Sequence, residues 1–205
     1  MRATEILKGE HRVMDQMLTC LEELADECLV ERRLDAAAAR QVVGFLHNFV
    51  GCCHQAWEED RLFRLLEPRG VSRPLGPTAG LLHEHQLCGR NLRALVQIIE
   101  PAVSGDPYAL RQFASQARAY VFLLREHMAR EECRLLSLGD PSPTDEDALL
   151  EAFDHVEGEE RAEETHERYL ATADEMGEQF EVHRVPVEPV AHPSCCWCGH
   201  HGATS

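Results

Sequence analysis

The sequence predicts an all-α protein: an antiparallel up-down four-helix bundle with additional C-terminal short helices and a Cys/His-rich tail. Three observations carry that expectation. Apolar residues recur at alternating steps of three and four over four long stretches, the seam of a packed helix. No alternating strand pattern competes with them. The chain also repeats itself: HQAWEEDRL at 54–62 returns as HMAREECRL at 127–135, each reading H-x-A-x-E-E-x-R-L.

The first helix is expected over residues 4–31, with Leu7, His11, Met14, Leu18, Leu21, Ala25 and Cys28 on its seam. His11 stands where a leucine would be usual. The second runs from an Asp35 cap to Leu66 and is stopped by Pro68 and Gly70. Its seam includes Val43, Val50, His54, Glu58 and Leu62. The third covers 78–99, with Leu81, His85, Cys88, Leu92, Leu95 and Ile99 facing inward, and Pro101 and Gly105 closing it. The fourth covers 107–138 and turns Leu110, Phe113, Ala117, Tyr120, Leu124, His127, Glu131, Leu135 and Leu138 to the core. Residues 144–180 read as helical but very acidic, with Gly158 in the middle, so two short helices beside the bundle are expected. From Val182 the prolines 186, 189 and 193 break any helix. The expected division is 1–140 for the bundle, 141–181 for the acidic extension and 182–205 for a flexible tail.

A chain of 205 residues can bury one full core. Twenty Lys+Arg against 36 Asp+Glu give a net charge of −16, which argues against nucleic acid and anionic membranes as partners. The segment MRATEILKGEHRVMD lacks the apolar stretch of a secretion signal, so a cytoplasmic location is expected. The nine cysteines are odd in number and mostly sit in helical patterns. They read as buried thiols rather than a disulfide framework.

Residues four apart share a helix face, so each copy of the repeat points one imidazole and one carboxylate the same way. A lone histidine precedes each copy at nearly the same distance: His11 lies 43 residues before His54, and His85 lies 42 before His127. A buried, unpaired carboxylate is costly. A pair of divalent ions would neutralise both carboxylates and occupy the imidazoles. Four His and two Glu suit iron or manganese better than zinc or calcium.

The stretches EHRVMDQMLTCLEEL, NFVGCCHQAWEEDRLF, LLHEHQLCGRNLRAL and YVFLLREHMAREECRLL resemble the hemerythrin HHE cation-binding family over residues 4–138. THERYLATADEM resembles the C-terminal helix of bacterial members. The resemblance implies a non-haem di-iron centre, two iron ions joined by an oxo or hydroxo bridge. Its ligands would be His11, His54, Glu58, His85, His127 and Glu131, with the two glutamates bridging and two histidines capping each metal. Open positions on iron would take O2, NO or peroxide, in keeping with a role in oxidative or nitrosative stress. Oxygen-carrying members place a fifth histidine four residues along the third helix. Here Gly89 and Leu81 stand four residues either side of His85, and neither can ligate. A more open, more reactive centre than a reversible O2 carrier is expected.

Around these six lie candidates with two readings each. Glu84 is an extra ligand or a solvated charge. Glu59 and Glu132 fall one step off the ligand face and would bind histidine N–H groups or solvent. Tyr120 could donate to an oxygen ligand or simply fill the core. His166 is the strongest extra-ligand candidate. In the tail, His192, Cys195, Cys198 and His200 could form a second metal site, for Zn, or belong to a redox-exposed segment. The functions in play are a reactive di-iron protein for small diatomic or peroxide ligands, an iron storage, sensing or delivery module without turnover, and a catalytically silent bundle with a protein partner.

Overall fold

The computed structural model describes residues 3–66, 77–137 and 160–184. They form helices α1 (Ala3–Val30), α2 (residues 36–66), α3 (Pro77–Val103), α4 (Pro107–Ser137) and α5 (Glu160–Gln179). Among the described residues there is no strand, and no helix is long and apolar enough to cross a membrane.

The helix starts follow from side-chain chemistry. The Asp35 carboxylate accepts from the N–H groups of Ala37 and Ala38 at 2.8 and 3.0 Å, satisfying donors that the first turn of α2 leaves free. Asp106 does the same for Tyr108 at 2.9 Å, and Pro107 opens α4 where no N–H is needed. Gly105 stands at φ +85°, the left-handed conformation that lets the chain reverse between α3 and α4.

Long-range pairs show how the helices run. Asp26 binds Arg118, Asp15 binds Arg125, and His11 binds Glu132, so residue number rises along α1 as it falls along α4. Asn91–Gln116 and Glu84–His127 give the same opposed trend for α3 and α4. Arg40–Glu100 and Glu59–His85 give it for α2 and α3. Contacts close the cycle α1–α2–α3–α4–α1, and α5 lies against α1 and α2.

The apolar seams meet inside that cycle. Met14, Met17, Leu18, Leu21 and Leu24 of α1 pack with Phe45, Leu46 and Phe49 of α2, Leu92 and Leu95 of α3, and Phe113, Tyr120 and Leu124 of α4. Burying each such side chain stabilises the fold by about 1.5–3 kcal/mol before chain entropy is subtracted. α5 adds Ala173 and Met176 and sets Tyr169 edge-on to Phe45 and Phe49. It is pinned by Gln16, whose amide donates to the Ala173 carbonyl at 2.9 Å and accepts from Arg184 at 2.6 Å.

Three local expectations need correcting. α3 runs through Pro101 to Val103 rather than ending near Ile99, because a proline in the last turn forfeits little of the hydrogen-bond ladder. α2 is not a plain α-helix: Leu46–His54 and Glu58–Leu62 are π-helical, with Gln55 N–H bonded to the Val50 carbonyl and Phe63 N–H to that of Glu58. Of the acidic extension, where two short helices are expected, the described residues hold one helix of 20 residues, and the stretch before it lies outside the described residues. The cysteines divide. Cys20, Cys28 and Cys88 are buried thiols, whereas Cys52 and Cys53 are exposed on α2. Cys133, only half-buried near the end of α4, is disulfide-bonded.

Candidate metal centre

The six residues read from the repeat meet at one end of the core. His11 is on α1, His54 and Glu58 on α2, His85 on α3, and His127 and Glu131 on α4. All are buried, with Glu58 and His127 at 0% exposure and Glu131 at 1%. They form two groups that could hold a metal ion: His11, His54, Glu58 and Glu131, then Glu58, His85 and His127.

Glu58 lies between the groups. Its Oε1 is 2.8 Å from His54 Nε2 and its Oε2 is 3.2 Å from His85 Nε2. Glu131, a member of the first group only, faces both histidines with one oxygen: its Oε2 is 3.4 Å from His11 Nε2 and 3.9 Å from His127 Nε2. The imidazoles pair off, His11 with His54 at 5.1 Å between ring centroids and His85 with His127 at 4.7 Å.

The far nitrogens are all occupied. His54 Nδ1 meets Glu10 at 2.6 Å, His85 Nδ1 meets Glu59 at 2.7 Å, His127 Nδ1 meets Glu84 at 2.9 Å, and His11 Nδ1 meets Glu132 at 2.8 Å. Each carboxylate comes from the preceding helix in the cycle, so the four bonds close a ring around the centre. An ionised carboxylate can only accept, so each Nδ1 carries the proton and turns its Nε2 inward. Glu84 is itself fixed by Arg130 Nε at 3.0 Å.

Most of the inward groups lack such partners, although His85 Nε2 and His127 Nε2 lie 3.2 Å apart. Both oxygens of Glu58 and of Glu131, with His11 Nε2 and His54 Nε2, are buried with no hydrogen-bond partner of acceptable geometry. Buried polar atoms are normally paired, because leaving one unpaired costs about 1–3 kcal/mol, and more if charged. Six on facing side chains fit a cation that binds through oxygen and imidazole nitrogen.

Electrostatics split the two glutamates. Burial opposes ionisation of Glu58, but His54 and His85 outweigh it and hold the carboxyl well below its ordinary range. Burial and repulsion from Glu58 push Glu131 up to about 7. Burial likewise opposes charge on His85, yet its closeness to Glu58 and Glu59 raises it to about 9. Protons and metal cations therefore compete for the same atoms.

The family description Hemerythrin HHE cation binding domain matches residues 2–138. The chain belongs to the hemerythrin HHE family. Neither the curated proteins nor the solved structures give a match. The matched stretch of this HHE protein contains both buried His/Glu groups, so its cation-binding character falls on a defined place.

The other candidates separate cleanly. Glu59 and Glu132 bind histidine N–H groups, as their register one step off the ligand face implies. Glu84 joins neither metal group; it accepts from His127 and Arg130. Tyr120 is 1% exposed in the core beside Cys88 and also joins neither group. His166 is not brought to the centre: its ring lies against Phe49 at 5.7 Å, because α5 docks across the α1–α2 face. His192, Cys195, Cys198 and His200 lie outside the described residues. Glu10 was missed by the sequence reading. The signal was present, since Glu10-His11 repeats as Glu84-His85.

Proposed function

We propose that the four long helices form an antiparallel up-down bundle, residues 1–140, built to hold a di-iron centre that senses or removes O2, NO or peroxide in the cytoplasm. His11 and His54 would serve one iron, His85 and His127 the other, with Glu58 and Glu131 shared. The observation that supports this most is the set of unpartnered oxygens of Glu58 and Glu131, buried among four imidazoles whose outer nitrogens are already bound. Iron in such an N/O site supplies exchangeable coordination positions and accessible redox states for small oxidants.

The chain's own residues set the terms of that chemistry. Burial keeps bulk water from the carboxylates, and the Nδ1 carboxylates hold the imidazoles in one orientation. The α3 positions flanking His85 by one turn add no donor: Leu81 is apolar and buried, and Gly89 has no side chain. This favours an exchangeable site over a protected O2 adduct.

The test is repeated oxygenation and deoxygenation of the reduced iron protein, followed optically, with NO and H2O2 added separately under argon. Oxidation by O2 or peroxide, or a lasting NO spectrum, is expected. An oxygenated spectrum that returns fully to the reduced state over many cycles would overturn the reactive reading. Inertness towards all three would leave iron storage or delivery as the function.

A further inference from the structure

A cavity of about 490 Å³ opens between α2 and α3, outside the two metal groups but touching one wall of them. Its lining includes His47, Gln55, Glu59, His85, Arg90 and Arg93. The size falls within the range of small-molecule sites. Three features of the lining point the same way.

The first is Gln55. It is 6% exposed, and its amide Nε2 has no hydrogen-bond partner. It approaches the Cys88 thiol, a weak acceptor, without the geometry of a hydrogen bond. A buried amide donor at a cavity wall fits an acceptor arriving from the cavity.

The second is the pair Arg90 and Arg93. They sit three apart on the exposed face of α3, and neither has an ion pair or side-chain hydrogen bond among the described residues. Other exposed arginines, among them Arg32, Arg61 and Arg111, also have no carboxylate partner among the described residues, so what sets this pair apart is that both line one cavity. Two guanidiniums left unpaired beside one cavity, in a chain of net charge −16, are a local positive field. The one carboxylate on the lining, Glu59, is engaged with His85 Nδ1.

The third is glycine. Gly51 and Gly89 both line the cavity. A Cβ at Gly51 would meet nothing within 4 Å, and one at Gly89 would meet only Arg93 NH1 at 3.6 Å. No crowding of the backbone forces glycine at either position. What a longer side chain there would do is take up cavity space.

We propose that this cavity binds a small carboxylate or comparable oxyanion, held by the Gln55 amide and by the Arg90 and Arg93 guanidiniums, against the Glu59–His85 pair. Guanidinium forks match the two oxygens of a carboxylate, and the amide supplies a further donor at depth. The site stands independently of the iron reading; if that reading holds, the anion docks one side chain away from the centre. Binding would then shift His85 through its bond to Glu59.

The probe is acetate, added to metal-free protein and to protein loaded with redox-inert zinc, followed by NMR of the Gln55 side-chain amide and by calorimetry. Saturable binding with a shifted Gln55 amide is expected in both forms. Arg90→Ala with Arg93→Ala should weaken it at least about tenfold, and so should Gly89→Leu, which fills the cavity. Gly89→Ala, which adds one methyl in open space, should fold as wild type and lose less. Acetate bound only by the zinc form, and indifferent to Arg90 and Arg93, would mean ligation at the metal and would overturn the proposal while leaving the centre intact. Binding by a chain that takes up no metal would sustain the proposal and sink the iron reading. No saturable binding in either form would overturn it.

Discussion

Glu10 and His54 stand 44 positions apart in the chain, yet the carboxylate of one accepts the Nδ1 proton of the other at 2.6 Å. The contact joins α1 to α2 and fixes which face His54 turns to the centre. Replacing a carboxylate that orients a ligating histidine costs metal affinity by about 10- to 100-fold. Glu10→Ala should therefore weaken metal binding by that factor while the helical content stays unchanged. A competitive chelator titration measures it, with Glu5→Ala, on exposed surface of the same helix, as the control. Equal affinities for Glu10→Ala and Glu5→Ala would mean that the ring of outer carboxylates does not orient the ligands.

Glu58 offers an oxygen to both metal groups, whereas His127 belongs to one. Iron analysis of protein matured with iron should give close to two ions per chain for the wild type. It should fall towards one for His127→Ala and towards none for Glu58→Ala. If the two variants lose iron equally, Glu58 is not shared.

Gly177 is where α5 and the segment after it press closest. A Cβ there would lie 2.0 Å from Gln16 Nε2 and 2.7 Å from the Val182 carbonyl oxygen. Gln16 cannot swing clear without breaking its bonds to Ala173 and Arg184. Gly177→Ala should destabilise the protein by about 1–3 kcal/mol, as overpacking does, despite the usual helical gain from alanine. Thermal melting gives the sign, and hydrogen exchange should place the loss in α5. A higher melting temperature would show that this contact is loose.

Burial pushes the thiols of Cys20 and Cys28 up to about 11 and that of Cys88 up to about 12. The thiolate is the nucleophile, so at pH 8 these three should be almost unreactive in the folded state. Cys52 and Cys53 are exposed, and Cys52 should be alkylated first, since partial burial and the neighbouring Cys52 and Glu10 raise the Cys53 thiol. Peptide mapping after brief iodoacetamide treatment decides it, and label on Cys88 before Cys52 would contradict the placement of α2.

The sequence carried the residues of the two His/Glu groups because a cluster built on helices leaves a local, periodic trace. His54 and Glu58 share a face by spacing alone, and His11 and His85 stand on seams where apolar residues belong. The partners of the outer nitrogens left a weaker trace. Glu59 and Glu132 were legible from their register, but pairing Glu10 with His54 needs the relative height of two helices, which no spacing within one helix encodes. His166 failed for the same reason, since α5 settles by packing Tyr169 on Phe45 and Phe49. The π-helical stretches of α2 were invisible, because a widened turn keeps the same residue types and changes only which carbonyl each N–H reaches.

The closed ring of outer carboxylates bears on how this molecule assembles. Every histidine depends on a residue from another helix, and the last link returns to the first. A partly assembled chain, with any one of the four long helices undocked, has two of its histidines misdirected or missing: loss of α2 or α4 breaks both binding groups, loss of α1 breaks the first and loss of α3 the second. Metal should then discriminate strongly between complete and incomplete assemblies. By mass action bound ions would stabilise the complete bundle most, since it alone presents both groups, and the melting temperature should then depend on metal concentration.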